Sequence, residues 1–274
     1  MKKKIIFVDI DDTLNPSNGS ASEYTINVMD RLKEKGYIIV VNTGRSTKYA
    51  VEKSIEAHLS NYVISSNGAE VYDYEKRKVI FEQSIPKKII KSVYDYCVET
   101  GLTLILNSLE KRFINITDYK YNNEPAIYFD NIDKVLKDNK INQLVILSKN
   151  YDRMLVIPNM FKEKFPTLKV VHSSIGLIEG KRVRNKEYYH DLVMEHTAKS
   201  TGLVELLDYL GLTIDDAIVI GNGYDDQCMF DVVDTSIAVK NANDVLRNSA
   251  TYIAEEAKDD GVAKILEKLL LSKN

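Results

Sequence analysis

Three short β-branched runs, residues 4–9, 37–42 and 61–66, each rise from apolar positions into a polar tail, and long amphipathic segments separate them. Apolar residues at Ile26, Met29 and Leu32 fall near helical spacing in 22–36, and Gly36 closes that segment as a helix C′ residue does. Residues 46–60 predict a second helix, with Ser46 as its cap and Tyr49, Val51, Ile55 and Leu59 as its apolar face. Strand, helix, strand, helix, strand is the pattern of βαβ units in a parallel sheet. The same grammar returns from 214 onward, with strands at 217–221, 235–239 and 251–254 and helices at 225–233, 243–250 and 261–272.

Between these halves the chain changes character. Residues 85–188 are rich in Tyr and Lys and predict helices at 86–101 and 158–165 among strands at 103–108, 126–130, 143–148 and 168–174. The stretch 117–126 is the most polar and turn-rich part. The expected organisation is therefore an α/β core, residues 1–84 and 189–274, split around an inserted α/β domain, 85–188.

Composition narrows the partners. The 274 residues are 44% hydrophobic and 28% charged, enough apolar content for a large core with an insert. With 37 basic against 40 acidic residues interspersed, there is neither a basic field for nucleic acid nor a polybasic block for a membrane surface, so neither partner is expected. Lys2, Lys3 and Lys4 before an apolar run resemble the start of a secretory signal, but Asp9 ends that run too early. No apolar run approaches the roughly 20 residues that span a bilayer. Cys97 and Cys228 lie far apart in unlike contexts and read as free thiols, which gives the cytoplasm as the expected location.

Four polar motifs follow strands or open helices. Asp9-Ile10-Asp11-Asp12-Thr13 crowds carboxylates where open α/β sheets bind ligands, and alternate residues leaving a strand can point to one side. Two carboxylates alone there repel, whereas Mg²⁺ favours their oxygens; an Asp-rich turn is also a common helix cap. Thr43-Gly44-Arg45-Ser46 offers a hydroxyl and a close backbone approach for an anion at a helix start, or is simply a turn. Lys199 opens an amphipathic run and opposes the helix dipole, so its value must lie in neutralising charge elsewhere, unless it is a solvated surface lysine. Gly221-Asn222-Gly223-Tyr224-Asp225-Asp226 presents polar groups at another strand end, where the acids also suit a helix N-terminus.

The order Asp-x-Asp-x-Thr, strand-Thr-Gly-Arg, Lys, Gly-x-Gly-x-x-Asp resembles the haloacid dehalogenase superfamily, and more narrowly its Cof-type sugar-phosphatase branch, subclass IIB. Residues 65–73, 238–242 and 259–266, and Asp191 eight positions before Lys199, match that branch as well. The resemblance implies a Rossmann-like core with a C2B-type α/β cap and a Mg²⁺-dependent phosphatase of small phosphate esters acting through an aspartyl-phosphate. By carry-over Asp9 is the nucleophile and Asp11 the acid and base; Thr43, Gly44 and Lys199 hold the phosphoryl oxygens; Arg45 and Asn67 face the substrate. Asp9, Asp11, Asn222, Asp225 and Asp226 form the implied metal set.

Two positions depart from the branch, whose fourth motif usually reads Gly-Asp-Gly-x-Asn-Asp. Here Asn222 stands for the Asp and Asp225 for the Asn, so the formal charge is kept but moved. Asp225 then either supplies the missing anionic ligand or faces the phosphate and repels it. Asp12 stands where the branch usually has Gly, in a turn that tolerates Asp. In such enzymes the cap contributes the leaving-group contacts, and Arg112, Arg153 and Arg184 are its candidates, each also readable as a surface residue. A phosphomutase and a catalytically weakened metabolite-binding protein are the competing readings.

Overall fold

The computed structural model describes residues 4–16, 19–117, 125–173, 177–178, 181–182 and 188–272. They fall into two units, Met1–Phe81 with Ala198–Asn274, and Glu82–Thr197.

In the first unit β1 (Ile5–Val8) is buried along its whole length and leads through α1 (Glu23–Glu34) to β2 (Ile38–Asn42). The Ser22 hydroxyl accepts from the Thr25 amide at 3.0 Å, and Gly36 takes φ +84°, so the helix starts and stops with the signals its sequence carries. Next come α2 (Thr47–Glu56), capped by Ser46, and β3 (Tyr62–Ser65). The buried face of α2 is Thr47, Tyr49, Ala50 and Ser54, whereas Ile55 is 57% exposed, which moves the expected apolar face. Two strands absent from the sequence reading follow, β4 (Glu70–Asp73) and β5 (Lys78–Glu82). β4 runs antiparallel to β3, and β5 is an edge strand with little buried surface to write an apolar alternation.

The second unit opens with α3 (Lys87–Thr100), β6 (Thr103–Asn107), β7 (Arg112–Ile114), β8 (Ile127–Tyr128), α4 (Ile132–Asp138) and β9 (Gln143–Ser148). It continues with α5 (Tyr151–Lys164), β10 (Leu168–Ser173), the short pair β11 (Leu177–Ile178) and β12 (Lys181–Arg182), and β13 (Tyr188–Met194). Its six-stranded sheet runs β10-β13-β9-β6-β7-β8. Ile90, Val93 and Cys97 of α3 and Met154, Ile157 and Phe161 of α5 pack with Leu104, Leu106, Leu144 and Ile146 from one face of that sheet. β13 pairs antiparallel with β9 and β10, so the chain returns to the core at 198, not at the expected 189.

The core then closes with α6 (Lys199–Leu210), β14 (Ala217–Gly221), α7 (Gln227–Phe230), β15 (Ser236–Val239), α8 (Asp244–Ser249), β16 (Tyr252–Ala254) and α9 (Gly261–Leu266), which continues in wider turns through Leu271. The eight-stranded sheet has the order β16-β15-β14-β1-β2-β3-β4-β5, parallel from β16 to β3. β1 therefore lies between β14 and β2. The carboxyl ends of these three strands carry Asp9, Asn222 and Thr43 side by side.

Helix α5 begins seven residues before the expected 158, because Asn150 caps it by accepting from the Arg153 amide at 3.1 Å and Pro158 sits inside it. Proline lacks the amide that would reach the Met154 carbonyl. His190 of β13, itself buried, donates from Nε2 to that oxygen at 2.8 Å and takes the place of the missing bond. His190→Leu should accordingly cost roughly 1–3 kcal/mol in chemical denaturation. In a Pro158→Ala background the new amide serves the same carbonyl, and the cost should fall below about 1 kcal/mol. An equal cost in both backgrounds would separate the histidine from the proline.

Candidate active site

Asp9 follows β1 directly. Its amide donates to the Ile220 carbonyl at 3.0 Å, which fixes it against β14, and its Oδ2 accepts from the Thr13 hydroxyl at 3.2 Å. Its Oδ1 lies 2.8 Å from the Lys199 ammonium. Lys199 also meets Asp225 at 2.8 Å and Asp226 at 2.7 Å, although it is only 2% exposed. Three carboxylates thus surround one buried ammonium.

The backbone is shaped to permit this. Lys199 is the first residue of α6, and the side-chain Nδ2 of Asn42 donates to its carbonyl at 3.0 Å. Gly68, at φ +88°, presses against the Ala198 carbonyl, where a Cβ would overlap it. Side chains at Gly221 and Gly223 would collide with the carboxylates of Asp226 and Asp225 respectively. Asp226 is then fixed by the amides of Asn222 and Gly223, each 2.9 Å from its Oδ2.

Burial pushes the Asp9 carboxyl up to about 8, with Lys199 pulling it down and Asp226 and Asp225 pushing the same way as burial. Burial likewise raises Asp226 against the pull of Lys199. For Lys199 burial lowers the value, but Asp225, Asp226 and Asp9 outweigh it, so the ammonium is held well above the ordinary 10.5. Its contribution to stability is complete below that ordinary value and is lost only as pH climbs through the raised one.

Asp11 has different partners. Its Oδ2 takes the Arg45 Nε at 2.8 Å and its Oδ1 the Tyr49 hydroxyl at 3.4 Å, with the Arg45 guanidinium over the Tyr49 ring. Tyr49 is pushed up to about 12 by burial and then by Asp11. The backbone carbonyl of Asp11 accepts from Asn222 Nδ2 at 3.1 Å. Asp12 has φ +57°, the left-handed region that glycine favours, and its carbonyl accepts from Asn241 at 2.8 Å.

Directly after β2, Thr43 is buried, and its hydroxyl accepts from the Arg45 amide at 3.2 Å, leaving the proton to donate. Gly44 packs against Asn67, to whose Oδ1 a Cβ would come within 2.9 Å. The expected core residues are therefore gathered at one sheet edge, though Arg45 is spent on Asp11. In the second unit Arg153 donates to the Thr100 carbonyl, Arg112 lies on β7, Asp191 lies within β13, and Arg184 is outside the described residues.

Sequence reasoning missed Thr13, Asn42, Tyr49 and Asn241. Thr13 and Asn42 stand inside or beside the quoted motifs, whereas Tyr49 was absorbed into an apolar helix face and Asn241 was given no role although it lies in the matching stretch 238–242. As for a cation, the expected donors, Asp9, Asp11, Asn222, Asp225 and Asp226, are all hard oxygens, the type Mg²⁺ takes. Among the described residues no three His, Cys, Asp or Glu side chains are arranged to ligate a common ion. Asp9, Asp225 and Asp226 converge on the Lys199 ammonium instead, and their oxygens are of the donor type that a hard cation accepts.

Removing that charge is the direct test of the cluster. Lys199→Met should cost roughly 3–5 kcal/mol at neutral pH, because it strands buried carboxylates. Chemical denaturation measures it, and a loss under about 1 kcal/mol would mean that the acids are solvated.

Residues 6–266 match the model of the haloacid dehalogenase-like hydrolase family. A Streptococcus pyogenes serotype M6 protein, whose name pairs a phosphatase with a peptidyl-prolyl cis-trans isomerase, is 26% identical over 272 residues, covering 98% of this chain and 54% of that protein. The 5-amino-6-(5-phospho-D-ribitylamino)uracil phosphatase YcsE of Bacillus subtilis is 22% identical over 273 residues, covering 98% of this chain and 96% of that one. The fold is shared with the subclass IIB sugar phosphatase BT4131, at a TM-score of 0.77 and 18% identity, over 97% of this chain and 98% of that one. With the family model matched from residue 6 to residue 266, this chain belongs to the haloacid dehalogenase-like hydrolases.

Proposed function

We propose that the protein is a Mg²⁺-dependent phosphatase of small phosphorylated metabolites, either sugar phosphates or phosphorylated cofactors. The observation that carries this reading is the separation of two carboxylates two positions apart after β1. Asp9 is buried against Lys199 and Thr13, while Asp11 is held by Arg45 and Tyr49. In this reading the first environment fixes the direction of the attacking carboxylate, and the second, partly open to solvent, gives the proton shuttle access to water.

In this reading the Asp9 carboxylate forms a bond to phosphorus as the bond to the leaving oxygen breaks, and Asp11 gives its proton to that oxygen. Asp11 then takes a proton from water, whose oxygen attacks the aspartyl-phosphate; phosphate leaves and Asp9 is restored. Lys199, the Thr43 hydroxyl and the Gly44 backbone hold the phosphoryl oxygens, and Arg45 and Asn67 stand beside the remainder of the ester. Mg²⁺, when bound, neutralises charge on the transferring group. Asp9, the Asp11 carbonyl and Asp226 would hold it, with the Asn222 amide oxygen as a neutral donor. Of the three phosphatases described above, the names of YcsE and BT4131 state a substrate and support this class. The two free thiols, Cys97 and Cys228, fit a cytoplasmic location.

A panel of phosphate esters, assayed for inorganic phosphate with Mg²⁺ and again after chelation, tests the proposal. Turnover should require the cation; Asp9→Asn should reduce it to background, and Asp11→Asn should lower kcat roughly 10²–10⁴-fold. Activity retained by Asp9→Asn would refute the mechanism. Isomerised ester without phosphate release would favour a phosphomutase.

A further inference from the structure

Resting on that reading, one residue acquires a role that the family pattern does not give it. An ammonium has three N–H donors. Those of Lys199 face three carboxylates, Asp9 at 2.8 Å, Asp225 at 2.8 Å and Asp226 at 2.7 Å, so no donor is left for a phosphoryl oxygen until one acid gives way. Asp9 is the nucleophile. Asp226 is fully buried and pinned by the Asn222 and Gly223 amides, and cannot leave cheaply. Asp225 is the most exposed of the three, with 13% of its side chain open to solvent, and its Oδ1 rests over Gly223 while its Oδ2 meets Lys199.

We propose that Asp225 is a positioning residue that occupies the phosphate-facing donor of Lys199, and not a cation ligand, so that phosphate binding depends on a divalent cation. Without a cation, three carboxyl groups share one ammonium, and an entering phosphate meets an acidic site whose lysine is already saturated. A bound cation supplies the missing positive charge and makes displacement of Asp225 from Lys199 by phosphate favourable. The neutral amide at position 222 belongs to the same arrangement. In this state its Nδ2 donates to the Asp11 carbonyl, so the charge moved to position 225 acts on the lysine and not on that carbonyl.

Calorimetry of the whole chain with inorganic phosphate and MgCl₂, alone and together, tests this. Wild-type protein should bind phosphate at least about tenfold more tightly with Mg²⁺ than without. Asp225→Asn, which keeps the shape and removes the charge, should tighten metal-free phosphate binding by about fivefold or more and shrink that coupling, while the Mg²⁺ Kd measured alone stays within about threefold. Asp225→Glu should restore the wild-type coupling. A tenfold or greater loss of Mg²⁺ affinity in Asp225→Asn would make Asp225 a ligand and overturn the inference. So would an unchanged coupling, which would leave the phosphatase reading intact. Failure of the wild-type protein to bind phosphate even with Mg²⁺ would instead overturn that reading, and the inference with it.

Discussion

One buried ammonium sets the terms for the core. Lys199 is enclosed by Asp9, Asp225 and Asp226, which enter from the ends of β1 and β14, so a single charge ties α6 to two neighbouring strands. Taking such groups out of water is expensive, and their attraction repays it only when every donor and acceptor is matched. The matching is visible around the cluster: two backbone amides on Asp226, the Thr13 hydroxyl on Asp9, and the side-chain Nδ2 of Asn42 on the Lys199 carbonyl. Glycines at 68, 221 and 223 follow from the same need, since a Cβ at any of them would meet a backbone carbonyl or a carboxylate that the cluster uses.

The second carboxylate system is built on softer terms. Asp11 and Arg45 are partly open to solvent while Tyr49 is buried, and Arg45 and Tyr49 come from the turn after β2 and the first turns of α2. An acid that must give and regain a proton benefits from access to water, whereas one that attacks phosphorus benefits from burial and a fixed direction. The crowding of aspartates after β1 thus resolves into two environments, because the neighbouring elements provide two cations rather than one. Asp12 serves the turn, at a left-handed φ that glycine favours.

Elements buried on both faces were the ones the sequence announced. β1, β2 and β14 are unbroken apolar runs, and Ser22, Ser46 and Gly36 mark helix ends with local chemistry that no tertiary contact has to supply. The strands that escaped, β4, β5 and β7, are short or lie toward sheet edges, where burial is too uneven to write an alternation. β13 escaped because its identity depends on partners distant in sequence, and placing it moves the return to the core from 189 to 198. Pro158 misled for a comparable reason: proline marks a helix start in isolation, and only His190, brought from β13, allows it inside α5. In the site, the polar residues after each strand were legible as a set, but their pairing was not. Nothing local in Arg45 says that it will hold Asp11, and nothing in Tyr49 separates a hydroxyl aimed at a carboxylate from an apolar face.

The exchange at positions 222 and 225 follows from the same geometry. Asn222 begins the turn after β14 and reaches the Asp11 carbonyl, while Asp225, three residues on, folds back over Gly223 toward Lys199. Moving a carboxylate from the first position to the second therefore changes what it neutralises, even though the formal charge of the motif is unaltered. At 222 a carboxylate would lie beside the carbonyl of Asp11 and add to the pull on a cation. At 225 it adds to the load on the lysine that phosphate must engage. A site so loaded is closed to anions until a further positive charge arrives, and under the proposed chemistry this makes the cation a condition of substrate binding as well as of turnover.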